Sequence, residues 1–74
     1  MKAAPATISV RLNDKSRALS GGATLLDLMG ELGLTDARGI AAAVNDAVVP
    51  RGAWEAHALS DGDRVLVIRA AQGG

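Results

Sequence analysis

The stretch TISVRLNDKSRALSGGATLLDLMGELG, residues 7–33, changes its hydrophobic period once, and that change decides the fold. In its first half, Ile8, Val10 and Leu12 alternate with polar residues, the period-two pattern of a half-buried strand. Residues 13–15 are turn-forming, and the SRALS segment after them is typical of a returning strand. We therefore predict a β-hairpin.

The second half of the stretch follows a helical period. Thr24 and Asp27 have the spacing of a capping box, and Gly33 stands where a left-handed C-terminal cap belongs. A helix of two to three turns is predicted between these signals. Its apolar stripe has the spacing i, i+3, i+4 and i+7, at Leu25, Leu28, Met29 and Leu32.

The remaining chain predicts three more strands. Residues 40–44 are small and apolar, and residues 48–50 form a short strand that ends at a proline. Residues 51–57 predict an irregular crossover or a single helical turn, and residues 61–63 a tight turn. Residues 64–69, RVLVIR, are apolar without alternation, which predicts a central strand covered on at least part of both faces. The order β-β-α-β-β-β indicates one α+β domain, a small mixed sheet of about five strands clasping one helix.

Composition excludes several functions. The formal net charge is zero and there is one aromatic residue, so neither a basic stripe nor a stacking platform for nucleic acid is expected. Apolar runs are too short to cross a bilayer, and residues 1–10 do not resemble a signal peptide. We expect a cytoplasmic protein that binds no nucleic acid and no membrane.

No conventional active site is visible, and we predict that the chain is not an enzyme. His57 has no nearby Ser or Cys to complete a triad, and Asp61 and Asp63 lack the further oxygen ligands of a calcium loop. Gly21-Gly22 precedes a helix, but the lysine of a phosphate-binding loop is missing. We expect no catalytic residue and no metal site.

Three larger side chains have two interpretations each. Trp54 is predicted to plug the core or cover a hairpin, and contact with a partner is the alternative. Arg64 and Arg69 bracket the last strand; they are typical of solvated strand ends, but they also lie where an acidic partner would meet the tail.

The chain ends in RAAQGG, residues 69–74, and the two glycines are either a frayed end or a functional one. A terminal carboxylate is anionic and therefore a poor electrophile, so its use requires conversion to an acyl phosphate. Gly73 and Gly74 have no Cβ, which suits passage through a narrow channel. Residues 70–74 span roughly 17 Å when extended. These properties indicate a substrate and carrier rather than a catalyst.

Three segments carry a family resemblance: VNDAVVPRGAW at 44–54, LSDGDRVLVI at 59–68, and the glycines at 73–74. In this order they resemble the ThiS family, the sulfur carrier proteins of thiamin (thiazole) biosynthesis. The resemblance implies a ubiquitin-like β-grasp fold: a single sulfur carrier domain over residues 1–74 with a flexible tail over residues 70–74.

The resemblance also implies a chemistry centred on Gly74. A ubiquitin-activating-like adenylyltransferase would adenylate this residue with ATP and magnesium, which the partner uses and this chain does not bind. Sulfur from a persulfide donor, of the cysteine desulfurase or rhodanese type, would displace AMP and give a thiocarboxylate. Thiazole synthase would receive that sulfur. The chain has no cysteine, so the persulfide has to come from a partner.

The sequence departs from the family pattern in three places. Residues 1–6 extend beyond the usual start, and residues 70–72 are smaller than the bulky aliphatic often found before the glycines. Asn13-Asp14 stands where Asn-Gly is frequent.

Two other functions remain open from the sequence. The small subunit of molybdopterin synthase is a β-grasp sulfur carrier with the same ending, but VPR at 49–51 followed by Trp54 favours the thiamin branch. A non-covalent ubiquitin-like binding module, in which the glycines are incidental, is the second. In each case we expect the open sheet face beside the last strand to be the docking surface.

Overall fold

In the computed structural model, residues 6–35 and 38–69 are described. They form a five-stranded sheet in the order β2-β1-β5-β3-β4, with one α-helix packed on its inner face. β1 and β5 are parallel, and the other neighbouring pairs are antiparallel. The elements are β1 (Thr7–Leu12), β2 (Lys15–Ser20), α1 (Leu25–Glu31), β3 (Ile40–Val44), β4 (Ala47–Val49), a short 3-10 helix (Arg51–Ala53) and β5 (Arg64–Arg69).

Both hairpins turn on an Asn-Asp pair in the left-handed region. Asn13 and Asp14 have φ values of 48° and 70°, and Asn45 and Asp46 have 51° and 74°. Two residues with positive φ match the right-handed twist of the strands they join, and Asn and Asp tolerate that conformation best after glycine. The first hairpin is confirmed, although β2 begins at Lys15, one residue earlier than predicted.

The helix begins and ends where the sequence predicts. Thr24 Oγ1 accepts a hydrogen bond from the Asp27 amide at 3.1 Å, and Asp27 Oδ2 accepts one from the Thr24 amide at 2.9 Å, which completes the capping box. Gly33 ends the helix with a φ of 73°. Because glycine has no Cβ, this left-handed cap carries no steric penalty.

The crossover from β4 to β5 closes the start of the helix. The Leu25 amide donates to the His57 carbonyl at 2.8 Å, and the Leu26 amide donates to the Trp54 carbonyl at 3.1 Å. These amides lie in the first turn of a helix, where no intrahelical acceptor exists. The crossover therefore replaces water as their partner.

The core is aliphatic and lies between the helix and the inner face of the sheet. Trp54 is its largest member and is 1% exposed, and its Nε1 donates to the Val49 carbonyl at 2.9 Å. This confirms the interpretation of Trp54 as a core residue. The other fully buried large side chains are Leu25, Leu28, Met29 and Val10.

Candidate functional site

The predicted site residues Gly73 and Gly74, and the whole tail 70–74, lie outside the described residues. The structure does describe the strand that leads to them. β5 is the central strand in the spatial order of the sheet and ends at Arg69, so the chain approaches its last residues from the centre of the sheet. Any surface that guides the tail therefore has to be sought around the end of β5.

One half of the outer sheet face is apolar. Val48, Ala43 and Leu66 are direct neighbours in one row across β4, β3 and β5, and Ala41 and Ile68 form the next row. The large side chains are strongly exposed: 73% for Val48 and 49% for both Leu66 and Ile68. We call these five residues the outer patch. Contiguous exposed apolar groups in a small protein mark a surface for a partner.

The other half of the outer face is polar. Ser9 on β1 and Ser16 on β2 are joined through their hydroxyls at 3.0 Å. Between the two halves, Arg11 on β1 and Arg64 on β5 are register neighbours. Arg64 also forms an exposed ion pair with Asp46 at 2.7 Å. The outer patch is thus bordered by two arginines that are backbone neighbours on β1 and β5, and the Arg64 guanidinium reaches Asp46 in the turn between β3 and β4.

A shallow depression of about 340 Å³ lies between the patch and its border. Arg11 and Arg64 line its cationic side, and Ala43 and Leu66 line its apolar side. Asp14 and Asp46, one from each hairpin turn, also line it. The depression offers a partner apolar contact and opposite charges within a short distance.

The predicted central position of β5 is confirmed, and its outer face is only half covered. Val65 is buried under the helix, but Leu66 and Ile68 are half exposed. One helix covers only one face of a sheet, so the missing alternation in RVLVIR has another cause. The apolar residues that face outward form an exposed surface. The missing alternation in this strand therefore indicates a surface for a partner, not burial on both faces.

The acidic residues near the last turn act as structural acceptors. Asp61 Oδ1 accepts from the Ser9 amide at 2.7 Å. Asp63 accepts from the Ser60 amide at 2.8 Å and from Asn45 Nδ2 at 3.0 Å. This confirms their turn-forming interpretation. Across residues 6–35 and 38–69, no group of three or more His, Cys, Asp or Glu side chains is arranged to hold a metal ion.

The other residues considered from the sequence are separated from the outer patch. His57 is partly buried and contributes its carbonyl to the helix start. Gly22 has a φ of 88° and lies in the turn that precedes the helix. Trp54 lies in the core, under the Arg51 guanidinium, which is 4.8 Å from the ring centroid. Within the described ranges, no helix has the length and hydropathy that a membrane span requires.

A mixed five-stranded sheet that clasps one helix, with a central last strand leading to the chain end, defines the ubiquitin-like β-grasp class. The ThiS family model matches residues 10–74. The chain therefore belongs to the ThiS family, and the resemblance found in the sequence is confirmed.

Relatives agree with this assignment. The sulfur carrier protein ThiS of Escherichia coli (strain K12) is 33% identical over 67 residues, which cover 90% of this chain and 100% of that protein. The crystal structure of the thiamine biosynthesis protein ThiS from Geobacter metallireducens superposes with a TM-score of 0.75 at 25% identity, covering 90% of this chain and 100% of that one. A solution structure of a thiamine biosynthesis protein from the same organism gives a TM-score of 0.72 at 25% identity, with 90% and 88% covered.

Proposed function

We propose that this chain carries sulfur on its C-terminal residue, Gly74, for the formation of the thiazole ring of thiamin. The observation that supports the proposal most directly is that the family match runs to residue 74 and so includes both terminal glycines. The match to the sulfur carrier protein ThiS of Escherichia coli covers the whole length of that protein. In this proposal, the group that reacts is the terminal acyl carbon.

The proposed loading takes place in a partner enzyme. The Gly74 carboxylate attacks the α-phosphorus of ATP and releases pyrophosphate, which gives a glycyl adenylate. The terminal sulfur of a persulfide then attacks the acyl carbon, and AMP leaves. A second thiol cleaves the remaining sulfur–sulfur bond and takes the donor sulfur into a disulfide, so the carrier leaves as a thiocarboxylate. These reactions require three partners: an adenylyltransferase, a persulfide donor and thiazole synthase.

Loading is tested by intact mass. After incubation with ATP, magnesium, a ubiquitin-activating-like adenylyltransferase and a persulfide donor, the chain is expected to gain the mass difference between sulfur and oxygen. Fragmentation should place the gain on Gly74. Omission of ATP is the control, because the carboxylate is not an electrophile before it is adenylated. An unchanged mass under the complete conditions would contradict the carrier function.

The acceptor distinguishes the two sulfur carrier branches. The loaded chain is expected to support thiazole formation with thiazole synthase and to leave a molybdopterin precursor unsulfurated. Similarity to proteins of thiamine biosynthesis supports the first acceptor. Transfer to the molybdopterin precursor alone would move the chain to the other branch.

The outer patch is the proposed docking surface for the adenylyltransferase. It lies on the strand that leads to the tail, and its border carries two arginines. A standard interface uses about 800 Å² of each partner, so a protein of this size has to use most of one face. We expect a partner surface that is apolar at its centre and acidic opposite Arg11 and Arg64.

Changing Leu66 to Asp is expected to raise the KM for the carrier by about 30-fold or more, because loss of a central apolar contact costs about 2 kcal/mol in a typical interface. Because Leu66 is half exposed, the free energy of unfolding should change far less than the free energy of binding. Steady-state adenylation and the thermal midpoint would be measured together. Ala18→Asp, which places the same charge on the polar half of the face opposite Ser9, is the matched control. Equal KM values for the two variants would argue against the patch as the docking surface.

A further inference from the structure

β5 loses its β1 neighbour before it ends. The parallel pairing stops at Leu12 and Val65, and the Asn13 amide donates to the Val65 carbonyl at 3.0 Å. At Asn13 the chain turns through positive φ and leaves for β2. Beyond Val65, that edge of β5 therefore continues with no paired strand among the described residues.

The side chain of Asn13 continues the pairing where the backbone stops. Its Oδ1 accepts from the Val67 amide at 2.9 Å, and its Nδ2 donates to the Val67 carbonyl at 3.3 Å. One carboxamide thus makes both hydrogen bonds that an adjacent strand would make to this residue. The donor and acceptor must both be present, and the asparagine side chain supplies them in one plane.

We call the two hydrogen bonds between the Asn13 side chain and Val67 the clamp, and they lie close to the tail along the sequence. Val67 is two residues before Arg69, and on its other edge β5 remains paired with β3 up to Ile40 and Arg69. With Asn13 on one edge and β3 on the other, the end of β5 is held from both sides. Without Asn13, only β3 would define the direction of this strand.

We propose that Asn13 is a positioning residue that fixes the direction in which the chain leaves the sheet toward Gly74. The inference rests on the proposed sulfur carrier function, in which the tail has to enter a partner's active site. Because a five-residue tail starts from the end of β5, the direction of that strand decides what fraction of the tail's conformations can enter a partner's active site. Reacting groups misplaced by about 1 Å lose about 100-fold in rate.

Asn45 provides a matched comparison at the other end of the same strand. Its Oδ1 accepts from the Arg64 amide at 2.9 Å, and its φ of 51° is close to the 48° of Asn13. It therefore holds the start of β5 from an equivalent turn. Replacement by glycine keeps positive φ available at either position and removes only the carboxamide.

The first experiment measures amide hydrogen exchange in the full-length chain without any partner. In Asn13→Gly, the Val67 amide is expected to exchange about tenfold faster or more, with the Arg64 amide unchanged, because an opened hydrogen bond exposes its donor. In Asn45→Gly, the Arg64 amide should be the one that speeds up. Unchanged exchange at Val67 in Asn13→Gly would overturn the clamp.

The second experiment measures adenylation kinetics of the same variants. Asn13→Gly is expected to lower kcat about tenfold and to change the KM for the carrier less, because all five residues of the outer patch are kept, although Asn13 also lines the depression beside it. Asn45→Gly should keep kcat within about twofold of the unaltered chain, since it perturbs the strand end remote from the tail; its KM can change, because Asn45 holds Arg64 at the border of the patch. Equal losses of kcat in the two variants would overturn the positioning role. So would an Asn13→Gly variant in which only KM changes.

Asn13→Asp guards against a folding defect in the glycine variant. Aspartate keeps a turn-forming residue and an acceptor for the Val67 amide but has no donor for the Val67 carbonyl. We expect Val67 exchange and kcat between those of the unaltered chain and Asn13→Gly; a variant that matches the unaltered chain in both would contradict the two-bond clamp. If the unaltered chain is never adenylated, the proposed function fails, while the exchange data still decide whether Asn13 holds Val67.

Discussion

A chain that ends at Gly73 is expected to fold as the full chain does and to accept no sulfur. Its new terminal acyl carbon would lie about 3.4 Å short of the position that Gly74 reaches when extended. Because errors of about 1 Å already cost about 100-fold, loading should fall by at least that factor. Intact mass after incubation with the complete loading system measures the result.

The fold provides the control for this truncation. The helix, the core and all five strands lie within residues 7–69, so the thermal midpoint of the truncated chain should equal that of the full chain. Gly74→Ala separates length from width: it keeps the length of the tail, and its added methyl group should slow loading if the tail passes through a narrow channel. Full loading of the chain that ends at Gly73 would remove the basis of the carrier function.

Replacing Trp54 with Ala is expected to remove most of the free energy of unfolding of the protein. A buried Trp→Ala change costs about 3–5 kcal/mol, and small domains have a total stability near the lower end of about 5–15 kcal/mol. Trp54 is the largest buried side chain, and the chain has no disulfide to compensate. Urea denaturation followed by circular dichroism measures the free energy of unfolding. A loss below 1 kcal/mol would contradict the assigned role.

Trp54→Phe separates packing from hydrogen bonding at the same position. It keeps an aromatic ring in the core and leaves the Val49 carbonyl without its indole donor, for an expected cost of about 1–3 kcal/mol. If Trp54 acts only in the core, the folded fraction of this variant should be loaded with sulfur at the normal rate. A slower rate with intact folding would show that the packing around Trp54 also affects the surface that meets the partner.

The two large effects test different levels of the molecule. Gly74 follows the last described strand in the sequence, and its removal should change chemistry without changing stability. Trp54 lies in the core, and its truncation should change stability first. Between them is the outer patch with β5, where Leu66 is expected to affect binding and Asn13 the placement of the tail.

Much of the fold was predictable because its signals are local. The capping box of Thr24 and Asp27 joins residues three apart, and both of its hydrogen bonds are present. The Asn13-Asp14 turn and the Gly33 cap follow from conformations that few residue types adopt. The interpretation of Asp61 and Asp63 as turn residues also depended on residue types that favour turns, and it is confirmed.

The candidate site was only partly predictable. Gly73 and Gly74 remain a prediction from the sequence and the family, since they lie outside the described residues. The outer patch was expected on the open face beside the last strand, but its members were not identified. The apolar run of β5 does not show which of its residues face outward, because the same residue types occur against a helix and against a partner; the structure places Leu66 and Ile68 on the exposed face.

The sequence by itself determined the local elements, the family and the terminal glycines, since each depends on residue types at short or fixed spacing. The central position of β5 was predicted, but only the tertiary structure decided that its neighbours are β1 and β3, and therefore which side chains share the exposed face. It also brought Asn13 to Val67, 54 residues away along the chain. Pairings at that separation depend on how the whole sheet packs against its single helix, and no local pattern of residues encodes them.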